Sequence, residues 1–139
     1  MIRPITACPI MTDPAMPRAV LQFFAASRTG DLDGWAASFA EDALFHDPVG
    51  QPPHRGRAAI RAFLGSVVPG FDPFLGLTPL AAYTVGGSVA VSWRGAAVTR
   101  AGRPVNWAGI NVCELGDDGL IQEARAYFDL AVFQAQLTG

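Results

Sequence analysis

Hydrophobic positions in this chain change period about halfway along, dividing it into a helical part and a strand part. Val20, Leu21, Phe23 and Phe24 recur at helical spacing and predict a helix to about Arg28. Asp13-Pro14 is read as its start, because an N-cap acid followed by proline suits the first helical turn. Gly30 ends that helix, and Asp31 caps a second, short one carrying Leu32, Trp35 and Phe39. Ala43 to Asp47 reads as a short apolar strand. Ile60, Phe63, Leu64 and Val67 then form one face of a third helix over about 57–68. Beyond Pro69-Gly70 the period drops to two. Strands are predicted over 75–83, 88–99, 104–115 and 120–128, separated by Gly86-Gly87, Ala101-Gly102 and Asp117-Asp118-Gly119, which suit hairpin turns. Asp129 caps a closing helix to about Leu137. Helices first and an antiparallel meander after them predict an α+β fold, with the helices packed on one face of a curved sheet.

Composition narrows what such a fold does. The chain has 139 residues, of which 50% are hydrophobic and 16% charged, so it reads as one domain with apolar surface left for a cavity or a subunit interface. A net charge of −2 gives no reason to expect nucleic acid or an anionic membrane as partner. Cys8 and Cys113 lie too far apart for a metal spacing or a disulfide framework, and a reducing, cytoplasmic setting is the default expectation. With only His46 and His54 besides, and no Cys/His/Asp cluster, no metal site is expected. Residues 1–15 contain Pro4, Pro9 and Pro14, too broken an apolar stretch for a secretory signal or a membrane span. They read as a disordered leader, with Met11 and Met16 as alternative starts, ahead of a single domain over 16–139.

Asp47 is the leading candidate for chemistry. It stands between an apolar strand and the stiff loop Pro48-Val49-Gly50-Gln51-Pro52-Pro53. A carboxylate held there is either a base whose pKa is tuned by burial or simply the residue that opens an Asp-Pro turn. On the third long strand, period two places Asn111, Gly109 and Trp107 on one face. On the last strand Leu120, Gln122, Ala124, Ala126 and Phe128 share a face, against Ile121, Glu123, Arg125 and Tyr127 on the other. Gly109, Ala124 and Ala126 would leave room for a flat apolar ligand; Trp107 and Phe128 either border it or fill the core. His46 points away from Asp47, and His54 reads as a solvated loop residue. Arg94 faces either the pocket or an outer ion pair, and Asp129 is either a helix cap or a second acid.

The chain resembles a known superfamily. Its order of helix, helix, strand, helix and four strands is that of the cone-shaped fold shared by nuclear transport factor 2, the SnoaL-like polyketide cyclases and the ketosteroid isomerases. The run Asp47-Pro48-Val49-Gly50-Gln51-Pro52-Pro53, followed by Gly56-Arg57, Ile60 and Phe63, is similar to the segment around the general base of ketosteroid isomerases. Gly30-Asp31, Gly119-Leu120-Ile121 and Ala126-Tyr127 fall in the same register, and the resemblance spans roughly residues 18 to 130. It implies a strongly curved, mixed or antiparallel sheet that encloses an apolar pocket behind three N-terminal helices.

By the same resemblance Asp47 takes the place of the general base, and Asn111 that of a protonated aspartic acid that stabilises an enolate. An amide NH₂ donates such a hydrogen bond without a raised pKa. Phe23 stands where the family has its oxyanion tyrosine, and Phe39 and Leu64 where supporting tyrosines stand. Losing one oxyanion donor typically costs about 2.7–4 kcal/mol of transition-state stabilisation, so efficient steroid isomerisation is not implied. The expectation is a cofactor-free isomerase or cyclase acting on an apolar, carbonyl-bearing, polyketide- or steroid-like small molecule. Phe23, Phe39, Leu64, Trp107, Ala126 and Phe128 would border the substrate, and the outer sheet face would form a homodimer. The alternative is a binding or dimerisation module with no chemistry.

Overall fold

Strict alternation in the second half of the chain builds most of the sheet. In the computed structural model, which describes residues 12–138, β4 (Ser88–Thr99) and β5 (Pro104–Leu115) have the predicted bounds, and β3 (Phe71–Val85) is longer at both ends. Together with β1 (Phe39–His46), a two-residue β2 (His54–Arg55) and β6 (Ile121–Tyr127), they form an open six-stranded sheet in the order β2-β1-β6-β5-β4-β3. β1 runs parallel to β6, and the other neighbours are antiparallel. Helices α1 (Arg18–Thr29), α2 (Leu32–Ala37) and α3 (Arg57–Val67) precede the long strands, and α4 (Leu130–Ala135) follows β6. This is the expected α+β cone.

The sheet curves where its register slips. β3 departs from its pairing with β4 at three places, and bulges of this kind bend a strand. One of them holds Gly76 at φ +87°, where an added Cβ would lie 2.4 Å from the backbone oxygen of Ser27. The end of α1 docks there: the Leu77 N–H donates to Ser27 Oγ at 3.0 Å, and Arg28 Nη1 donates to the Leu77 oxygen at 2.9 Å. The apolar side of α1 then reaches the concave face, where Phe23 meets Phe24, Trp35, Phe39 and Phe45 edge-on at 5.0 to 5.9 Å. Such edge-to-face pairs add to area burial in fixing the core.

Several predicted details change. α1 begins at Arg18 after Pro17; the Asp13 carboxylate instead pairs with Arg28 at 2.6 Å, fixing part of the expected leader. Residues 1–11 of that leader lie outside the described residues. α2 stops at Ala37, so Phe39 opens β1 rather than belonging to the helix. On β6 the pairing moves from Glu114–Glu123 to Leu115–Ile121, which leaves Gln122 as an extra residue. Gln122 turns outward to donate to Asp42 at 2.9 Å, and Ile121 becomes fully buried. The predicted face of β6 therefore holds only from Ala124 onward.

Candidate active site

β1 ends at His46, whose outward ring nitrogen lies 2.9 Å from a Glu123 carboxylate oxygen. Alternation turns the next residue, Asp47, to the concave side. The Val49 N–H then donates to the Ala126 oxygen at 2.8 Å, which pins the proline-rich loop to the end of β6. Asp47 is thereby held at the border of an apolar cavity of about 180 Å³. The sheet supplies Trp93, Trp107, Asn111 and Ala126 to its walls, the helices supply Phe23, Trp35, Phe63 and Leu64, and Leu130 and Phe133 cover it from α4.

Among the described residues, Asp47 is the one ionisable side chain on this lining. The residue keeps some solvent exposure, but its carboxyl is packed round by apolar groups, and among the described residues none donates it a hydrogen bond. Burial alone therefore acts on it, pushing its pKa from 3.8 up to about 7. Desolvation disfavours the charged form, and with no cation or N–H opposed to it the shift stands.

Asn111 is 1% exposed, and Trp93 Nε1 lies 2.9 Å from its Oδ1. An indole N–H can only donate, so the amide oxygen must be the atom facing Trp93. The NH₂ is left with no protein acceptor. Trp93 can lean across because its neighbour on β5 is Gly109. A Cβ at Gly109 would sit 2.7 Å from the Trp93 ring and 2.4 Å from the Tyr127 backbone oxygen. Gly109 thus makes room for a tryptophan and a strand, not for a ligand, and Ala124 is fully buried behind the cavity. The same pairing recurs one step along, where Trp107 lies over Gly95.

Phe23, Leu64, Trp107, Ala126 and Phe128 border the cavity beside Asp47 and Asn111. Phe39 does not. It is fully buried behind Phe23 and Phe45, at 5.8 and 5.1 Å between ring centres, because β1 starts there and turns it into the core. Arg94 is exposed on the outer face. His54 is stacked on Phe63 at 3.8 Å rather than solvated, and partial burial lowers its pKa. Asp129 is exposed and accepts the Val132 N–H at 3.1 Å, capping α4, and it is not among the residues that line the cavity. Among the described residues no three His, Cys, Asp or Glu side chains cluster as a metal site, and no helix is long and apolar enough to cross a membrane.

Sequence reasoning missed three contributors. Trp93 alternates with Val89 and Val91 on one stripe of the sequence, but the face that stripe takes and the bond to Asn111 depend on strand register. Trp35 reads only as a helical core residue. The cover is supplied by α4, which has no buried residue: the Phe133 ring meets Trp107 at 4.8 Å, and the Gln136 side chain bonds the Asn106 backbone at 2.9 and 2.8 Å.

Comparison with known proteins identifies the family and the fold. The SnoaL-like domain family matches residues 20–124. The chain is 36% identical over 110 residues to epoxide hydrolase LasB of Streptomyces lasalocidi; the match covers 76% of this chain but only 38% of LasB. It superposes with a TM-score of 0.72 at 26% identity on SalBIII, an epoxide hydrolase/cyclase-like enzyme of pyran ring formation in the polyether salinomycin, covering 81% of this chain and 89% of that one. A ketosteroid isomerase of Mycobacterium sp. shares the fold at TM-score 0.71 and 22% identity, over 82% of this chain and 92% of its own. These relatives are isomerase, epoxide hydrolase or cyclase-like enzymes. The chain belongs to the family of SnoaL-like domains.

Proposed function

We propose that this protein is a cofactor-free proton-transfer enzyme, an isomerase or cyclase, with Asp47 as general base and Asn111 as the donor that steadies the developing oxyanion. The observation that carries this reading is an unpartnered carboxyl and an unpartnered amide NH₂ on the lining of one apolar cavity. With a pKa of about 7, Asp47 is both ionised in useful amount and basic enough to take a proton from carbon near neutral pH. On a β,γ-unsaturated ketone it removes the proton between the carbonyl and the double bond. The electron pair moves into a dienolate whose oxygen is held by Asn111 Nδ2–H. Asp47 then returns the proton to the γ-carbon, leaving a conjugated ketone.

Cavity size narrows the substrate. A volume of about 180 Å³ is close to that of the apolar cavity, about 150 Å³, that accepts benzene. It encloses a single ring or one end of a longer molecule, not a whole four-ring steroid. The testing substrate is accordingly cyclohex-3-enone, whose conversion to cyclohex-2-enone is followed by absorbance. Asp47→Asn is expected to lower kcat by about 10²-fold or more, and Asn111→Ala by about 10²-fold. The wild-type rate should fall as pH drops through about 7, because protonated Asp47 is no base. Wild-type turnover that survives Asp47→Asn would overturn the assignment.

The 36% identity to LasB, an epoxide hydrolase, and the likeness to SalBIII, an epoxide hydrolase/cyclase-like enzyme, favour a second use of the same pair, epoxide opening by an internal hydroxyl. Asp47 would take the hydroxyl proton as its oxygen attacks the epoxide carbon. Asn111 would hold the departing epoxide oxygen, and Asp47 would return the proton to it. Cyclisation of 4,5-epoxypentan-1-ol tests this arm with the same variants. Turnover of neither substrate would favour a binding module. The exposed Ile110 and Tyr127 on the outer sheet face support reading that face as the contact between two copies, which sedimentation would test.

A further inference from the structure

Among the described residues, buried side-chain polar atoms are bonded with two exceptions. Ser27 and Ser38 are fully buried, and their hydroxyls donate to the Phe24 and Trp35 backbone oxygens, each at 2.6 Å. Among the described residues, the buried side-chain nitrogens or oxygens with no protein partner are Asn111 Nδ2 and Trp35 Nε1. Both residues line the same cavity, Asn111 from β5 and Trp35 from α2. Two separate lapses would not be expected to meet at one place, because an unpaired buried donor costs free energy wherever it lies.

Trp35 is also a costly choice if its role is only to fill space. It is 4% exposed and is wedged edge-on against Phe23 at 5.5 Å and tilted on Phe74 at 6.2 Å, two residues that border the cavity as well. A phenylalanine or leucine supplies apolar contact there with no N–H to satisfy. Among the described residues, nothing else on the helical side of the lining offers a side-chain hydrogen bond: Phe23, Phe63, Leu64, Val67 and Val68 are all apolar. Whatever polar recognition the ligand receives from that side comes from Trp35.

We propose that Trp35 is a second binding residue of this site, its indole N–H donating to an oxygen of the ligand while Asn111 holds another from the sheet wall. The ligand class follows. It is a ring-sized molecule, or a ring-sized end of a longer one, that carries two hydrogen-bond acceptors, a keto-ether or diketone rather than a simple ketone. This deepens the function proposed above and rests on Asn111 receiving one of the two oxygens. Trp35 takes no part in proton transfer; it sets which way round the ring lies between Asn111 and Asp47.

The test is binding, which requires no turnover. Cyclohexanone offers one acceptor; tetrahydropyran-4-one has the same shape with a second acceptor across the ring, and cyclohexane-1,4-dione extends that second oxygen further. Each is titrated into ¹⁵N-labelled full-length protein, wild type and Trp35→Phe, with the Trp35 indole resonance assigned as the one that the variant lacks. At least one two-acceptor ring is expected to move that resonance downfield where cyclohexanone does not. Its affinity advantage over cyclohexanone should shrink about 10-fold in Trp35→Phe, equivalent to about 1.4 kcal/mol; comparing ratios cancels the ring's own desolvation. An unmoved Trp35 resonance with all three probes, while the Asn111 NH₂ resonance shifts, would overturn the proposal and leave the Asn111 reading standing. Failure of every probe to bind or to shift Asn111 would overturn both. Should Trp35→Phe fold poorly, the wild-type resonance alone decides.

Discussion

The two faces of one sheet treat a carboxylate in opposite ways. On the concave face Asp47 has no hydrogen-bond donor among the described residues, and burial pushes it up to about 7. On the convex face Glu114 accepts from Arg125 at 2.8 Å, a bond that, with help from Ser88, holds it below the usual carboxylate range. Arg125 also lies 3.3 Å from Glu123, which in turn meets His46 at 2.9 Å, so the outer charges form a chain of partners. His46 and Asp47 are adjacent in sequence and fall on different faces only because a strand alternates. A carboxylate is stabilised where it is wet and paired. It becomes useful for moving protons where the fold surrounds it with apolar groups and withholds partners, at a cost in stability.

That cost gives the largest effect by which the comparison can be broken. The folded chain keeps the Asp47 proton up to about pH 7, whereas an unfolded chain releases it near 3.8. Between those values the unfolded state binds fewer protons, so this group makes stability fall as pH rises. Asp47→Asn removes the penalty. Chemical denaturation should find the variant more stable than wild type by about 2–4 kcal/mol at about pH 9, with the gap closing below about pH 4. A gap that does not change with pH would mean that Asp47 is as well solvated as an outer carboxylate.

A smaller effect sharpens the concave side. Trp93→Phe strips Asn111 Oδ1 of its partner and should cost about 1–3 kcal/mol of stability. It also frees the amide to rotate, so Asn111→Ala added to Trp93→Phe should lower turnover much less than Asn111→Ala does alone. Full additivity in that double-mutant cycle would separate the two residues.

The convex side should respond least. Arg125→Met is expected to cost about 0.2–1 kcal/mol, and less still in high salt, because these ion pairs are partly exposed. A cost of several kcal/mol at low salt, measured the same way, would show that the outer chain is not simply a wet surface ladder.

The sequence made legible whatever depends on local period. β4 and β5 carry unbroken alternation between hairpin turns, and their bounds, with the inward set of Trp107, Gly109 and Asn111, follow from it. β6 breaks the rule at Gln122, where an extra residue inserts without any glycine or proline to announce it. The start of α1 misled because Asp13 is as good an ion-pair partner as a cap, and Arg28 lies far off in sequence. Phe39 sits where helical and strand spacing agree, and only the fold decides that it is core. Asp47 is prominent in its motif, but the absence of a donor around it is a tertiary fact. So is the Trp93–Asn111 bond, which needs strand register, and so is the placing of Trp35 and Phe133 on one cavity.

The most direct measurement is the titration of Asp47 itself, by ¹³C NMR of the aspartate carboxyls in wild type, with Asp47→Asn to assign the resonance. A midpoint near 7 is expected, matching the pH at which turnover of cyclohex-3-enone falls away. A midpoint near 4 would contradict it, because Asp47 would then be a paired or solvated turn residue and not a desolvated base.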